Sequence, residues 1–119
     1  MLTIPPSVRI YACTRPTDMR KGFDGLSALV RDLIGEDPLS GHLFVFCNRK
    51  ADRVKLLVWD RSGYCLWYKR LEAGVFRFPD RGAVSWQITA AELLLILEGI
   101  DLAGARRGKR LSLAPCRAR

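Results

Sequence analysis

The chain has a single histidine, His42, and its four cysteines never come as a CxxC pair. A metal site would need ligands from the scattered positions Cys13, Cys47, Cys65 and Cys116, and no spacing asks for one. No apolar run approaches the roughly twenty residues that a membrane-spanning helix needs; the longest candidate runs from Leu93 to Leu97. The opening MLTIPPSVRI has no signal-peptide layout of basic start, apolar core and small-residue cleavage site. These gaps argue against a metalloprotein, a membrane protein and a secreted disulfide scaffold. A cytoplasmic protein is expected, without cofactor or metal. Its thiols should be reduced, and three of them fall in strand-like runs where Cys acts as a small hydrophobe.

The 119 residues suffice for one domain with a modest core. Hydrophobic residues make up 49% and charged residues 27%, the balance of a globular chain. The net charge of +8 is unevenly spread. Residues 105–119 hold Arg106, Arg107, Lys109, Arg110, Arg117 and Arg119 with no acid, while the preceding 104 residues are nearly balanced. A second basic concentration lies at 49–81. The division expected is a single domain over 1–104 and a basic, disordered tail over 105–119. Such charge suggests an anionic polymer as partner, DNA first among them.

Three runs rich in β-branched and aromatic residues lie between Leu43 and Arg70, separated by polar breaks. They predict a three-stranded meander with strands near 43–48, 54–60 and 64–70. In the second break, Asp60-Arg61-Ser62-Gly63, a type I turn closing on a glycine bulge would give Gly63 a positive φ. Asp60 would then pair with Tyr64, and Lys55 would face Lys69. Two facing lysines repel unless an anion sits between them or water screens them.

Around the meander, Val8 to Cys13 predicts a strand and Met19 to Ile34 a helix capped by Thr17 or Asp18. Gly22 and Gly25 weaken that helix, so a strand or second helix is expected close against them. Val84 to Ile88 predicts a short strand. Thr89 and Glu92 form a capping box opening a helix over 90–98, apolar nearly all round. The whole reads as α+β: an antiparallel sheet of four to five strands with a central meander and two helices, expected on one face.

Three blocks, TDMRKGFDGLSALV, LFVFCNRKADRVKLLVWDRSGYCLWYKRLEAGVFRFP and LLLILEGID, resemble one family. It is the small TnpB accessory proteins of bacterial insertion sequences that encode TnpA, TnpB and TnpC, distinct from the RNA-guided nucleases sharing the TnpB name. The resemblance spans residues 8–102 and excludes the tail. It carries over to Asp18, Arg20, Lys21, Asp24, Lys55, Asp60, Gly63, Lys69, Arg70, Leu71, Glu72, Gly74 and Phe76. Cys47 departs from it, standing where a more polar residue is expected. It implies a role in transposition, with transposase and other element-encoded proteins as partners, and no particular chemistry.

The nucleic-acid-binding candidates are therefore Lys55, Lys69, Arg70, Arg20, Lys21, Arg106, Arg107, Lys109 and Arg110. Asp18 to Lys21 could hold a phosphate at a helix start, or Asp18 could cap while Arg20 and Lys21 are solvated. Trp67 and Tyr68 could stack on nucleic acid or sit in the core. Catalysis is not expected. Asp18, Asp24, Asp60 and Glu72 make no recognisable metal-binding set, and His42 with Cys47 lacks an orienting third group. The function expected is non-catalytic DNA binding within a transposition complex. The alternative is a protein-interaction module bridging the transposase or other element-encoded proteins without touching DNA, with homo-oligomerisation left open.

Overall fold

The computed structural model describes residues 4–79 and 82–99. The basic tail, including Arg106, Arg107, Lys109 and Arg110, lies outside the described residues, as do the last residues of the expected 1–104 domain. The strands are β1 (Ile10–Cys13), β2 (Leu43–Cys47), β3 (Arg53–Asp60), β4 (Gly63–Arg70) and β5 (Ser85–Ile88). The helices are α1 (Phe23–Leu29) and α2 (Ala90–Leu97). All five strands join one sheet in the order β4-β3-β2-β1-β5. Pairing is antiparallel except between β1 and β2, which run parallel. The segment between those two strands crosses the sheet through α1, as a parallel pair requires.

The helices lie on opposite faces of the sheet, not on one. Leu26 of α1 and Val30 pack with Tyr11, Phe44, Phe46 and Leu57. Leu93, Ile96 and Leu97 of α2 pack with Ile10, Ala12, Val45, Val54 and Leu56 on the other side. Strands β1 and β2 are buried at every position, which is why IYAC and LFVFC read as continuous apolar runs without alternation.

The first helix starts at Phe23, not Met19, behind Gly22, which supplies no side-chain cap. It continues as a π-helical turn, Val30–Ile34, in which Gly35 N–H reaches back to the Val30 carbonyl at 2.8 Å. Gly35 stops it in the left-handed conformation, φ 80°. No strand or helix crowds the other glycines: a Cβ on Gly22 would meet nothing within 4 Å, and one on Gly25 would meet only the Lys21 side chain. The capping box of α2 is formed, with Glu92 N–H donating to Thr89 Oγ1 at 3.0 Å and Thr89 N–H to Glu92 Oε1 at 2.9 Å.

The β3–β4 hairpin differs from expectation by one residue. Asp60 pairs with Gly63, so the loop is two residues, and Arg61 takes the positive φ of 50°. Gly63 is not among the residues of positive φ. A two-residue loop suits the right-handed twist of the strands when its first residue is left-handed. The slip moves every β4 side chain to the other face relative to β3. Lys55 therefore faces Tyr68, and Arg53 faces Arg70.

Candidate nucleic-acid interface

Lys55 is 7% exposed. Its Nζ donates to the carbonyls of Met19 at 2.7 Å and Lys21 at 2.8 Å, and lies 4.8 Å from the centre of the Tyr68 ring. The turn over 18–21 thus wraps the ammonium and offers it carbonyls, while the Arg20 and Lys21 amides donate to the Asp18 Oδ1 and carbonyl oxygen. α1 begins only at Phe23, so the segment 18–21 is not a helix start of the kind weighed above for holding a phosphate. Asp18 does not cap α1: its carboxylate accepts from Arg20 N–H at 2.9 Å and pairs with the Arg20 guanidinium at 2.8 Å. The Arg20 hydrogen bonds hold the Asp18 carboxyl down to about 2. Arg20 and Lys21 are exposed.

Lys69 points to the opposite face from Lys55 and donates to the Leu97 carbonyl at 2.9 Å, at the C-terminus of α2. A cation there meets an unpaired carbonyl and the negative end of the helix dipole. The expected Lys55–Lys69 anion site is thus not assembled; each ammonium is already held by backbone oxygen. Trp67 packs against the α2-side core, while Tyr68 is 48% exposed.

A different set of cations gathers at one end of the sheet. There β1, β2 and β4 end and β3 begins, so residues from three connections meet. Arg15 follows β1, Arg49 and Lys50 lie in the β2–β3 loop, and Arg53 and Arg70 close the β3–β4 pair. Asn48 builds that loop: its Oδ1 accepts from Asp52 and Arg53 N–H at 3.1 and 3.0 Å, and its Nδ2 donates to Asp52 Oδ1 at 2.8 Å. The Asn48 amide lowers the Asp52 pKa. Arg53 donates to Tyr68 Oη at 3.3 Å, and Arg70 pairs with Glu72 at 3.0 Å. A shallow depression of about 340 Å³ is lined by Arg53, Tyr68, Arg70 and Glu72. A second, of about 510 Å³, runs beside it past Arg20, Arg49 and Lys50. Of the sequence candidates among the described residues, only Arg70 and Arg20 line these depressions. Arg15, Arg49, Lys50 and Arg53 were missed because their convergence depends on which strands are neighbours.

The carboxylates considered for metal catalysis do not converge. Asp60 and Glu72 stand beyond opposite ends of β4, and no group of three or more His, Cys, Asp or Glu among the described residues could hold a metal ion. His42 precedes β2 and accepts from Arg9 N–H at 2.9 Å, whereas Cys47 ends that strand. They are not a nucleophile pair. Cys13 is a buried free thiol whose pKa burial raises, and Cys65 is exposed. No helix among the described residues is long and apolar enough to cross a membrane.

The turn over 18–21, the meander and its buried lysine all fall within residues 8–107, which match the family model described as IS66 Orf2 like protein. The chain belongs to this IS66 Orf2 like family. Among its relatives, the uncharacterized protein y4jC of Sinorhizobium fredii is 37% identical over 84% of this chain and 86% of its own length. The uncharacterized protein y4hO of the same organism is 39% identical over 85% and 88%. No solved structure matches significantly. Membership makes the chain an insertion-sequence accessory protein of the TnpB type.

Proposed function

We propose that this IS66 Orf2 like protein serves transposition by binding DNA without catalysis, through the basic end of its sheet. The observation that carries the reading is the convergence of Arg15, Arg49, Lys50, Arg53 and Arg70 from three separate connections. They outnumber the nearby carboxylates Asp18, Asp52 and Glu72, of which Asp18 is paired with Arg20. Arg53 and Arg70 oppose each other directly, an arrangement that a phosphate between them would relieve. The basic tail would add sequence-independent affinity, six cations against no acid.

The test is a salt titration of DNA binding by the full chain. Each phosphate neutralised steepens the log–log slope by about 0.9 on duplex DNA. Arg49→Gln with Arg53→Gln should flatten the slope, while the Lys69→Gln variant should not. Equal slopes for all three proteins would reject this interface.

A second reading is favoured by Leu94 and Leu95 of α2, 40% and 36% exposed. These side chains would suit contact with a transposase or another element-encoded protein. Retained complex formation after the arginine substitutions, and its loss on changing both leucines to Gln, would support that reading.

A further inference from the structure

A cleft of about 570 Å³ opens beside the C-terminal ends of β1 and β2. One wall follows β1 through Arg15 and Pro16, and the other is formed by Phe78, Pro79, Ala83 and Val84. The buried Trp86 lies deeper in the lining, tilted 55° to Phe78 with ring centres 6.3 Å apart. Arg15 and Arg49, both exposed, flank the opening, and neither has an ion pair among the described residues. The cleft exists because the chain leaves β1 toward α1 on one face while Phe76 and Phe78 pack on the other, leaving a crevice at the strand ends.

We infer that this cleft receives an unpaired nucleobase, so that the protein favours single-stranded or frayed DNA over intact duplex. The inference rests on the DNA-binding reading above and names the form of DNA bound. Its volume lies within the roughly 300–1,000 Å³ of ordinary ligand pockets. An aromatic, largely apolar lining stacks a base of any identity, and arginines at the opening suit the phosphates on either side. A paired base cannot enter, because its faces are covered by its neighbours in the duplex. Two of the wall's uncharged polar side chains are already engaged. Thr14 Oγ1 donates to the carbonyls of Ala83 and Val84 at 2.7 and 2.9 Å, and the Asn48 amide is held by its own loop. Those groups leave little to read a base edge, so discrimination among bases should be weak.

The experiment uses the full chain and a short labelled oligonucleotide containing one 2-aminopurine, single-stranded or annealed, at one salt concentration. The single strand should bind about fivefold tighter or more, the low end of one base stacking on an aromatic side chain. The 2-aminopurine fluorescence should be quenched on binding. Phe78→Leu should lose the quenching and the preference while keeping its duplex affinity. Should that variant fail to fold, photocrosslinking of 5-iodouracil DNA to the wild-type chain decides, with adducts expected at Phe78 or Trp86. Equal or tighter duplex binding, unquenched fluorescence, or adducts only outside the cleft would overturn the inference and leave the basic-end reading standing. No binding of either DNA at low salt would overturn both.

Discussion

Arg53 stands directly opposite Arg70 where β3 and β4 meet the basic end of the sheet. Neither is buried, and among the described residues Arg53 is partnered by Tyr68 Oη and Arg70 by Glu72. Like charges in register destabilise a strand pair. Changing both to Gln should therefore leave the free protein equally stable or slightly more so. It should also flatten the salt dependence of DNA binding by about two phosphate equivalents, near 1.8 in slope. Chemical denaturation and binding titrations on the same double variant check both signs.

Lys55 should behave in the opposite way. Replacing it by Met leaves the Met19 and Lys21 carbonyls without their donor and unfastens the 18–21 turn from the sheet. A loss of about 2–4 kcal/mol is expected, since hydrogen bonds from a charged donor are worth more than neutral ones. Lys69→Met, which frees one carbonyl at the end of α2, should cost about 1–2 kcal/mol. Neither change should alter the salt slope of DNA binding. A stable Lys55→Met protein with weakened DNA binding would return this lysine to the interface.

At the hairpin, the sensitive position is Arg61 and not Gly63. A Cβ at Gly63 meets nothing within 4 Å, so Gly63→Ala should shift stability by no more than about 0.5 kcal/mol. Arg61, at φ 50°, should gain about 0.5 kcal/mol on change to Asn, which tolerates the left-handed region, and lose about 1 kcal/mol or more on change to Val. Urea midpoints of the three variants test the assignment.

Acid should weaken the 18–21 turn over a defined window. The Asp18 carboxyl falls from its ordinary 3.8 to about 2 in the folded chain, chiefly through its hydrogen bonds from Arg20. Folding therefore favours the ionised form. The contribution is whole above the ordinary value and disappears as pH falls through about 2. Because Asp18 is exposed the effect should be small. Asp18→Asn should flatten the pH dependence of the melting temperature over that window and leave the neutral-pH slope alone.

Thiol labelling should separate the cysteines. Cys65 is exposed and should react with iodoacetamide in the native protein. Cys13 is buried, with its thiol pKa raised by that burial, and should react only on unfolding. Peptide-resolved mass spectrometry distinguishes the two sites.

The local signals were written in the chain. Runs of apolar and β-branched residues between polar breaks marked all five strands to within two residues at their ends, and Thr89 with Glu92 marked the start of α2. Those features depend on residues within a few positions of one another, so composition and spacing suffice to read them. What faces what was decided elsewhere. A loop of two residues and one of three are both compatible with Asp60-Arg61-Ser62-Gly63, yet the choice turns every β4 side chain over relative to β3. It buries Lys55 against a turn more than thirty positions earlier in the chain and sends Lys69 to the end of α2. The uninterrupted apolar runs IYAC and LFVFC were the one sequence sign that the sheet is covered on both faces. Which strands lie side by side, and hence which arginines meet at the sheet's end, was settled only by the tertiary structure, because strand neighbours are chosen by long-range burial that no local window contains.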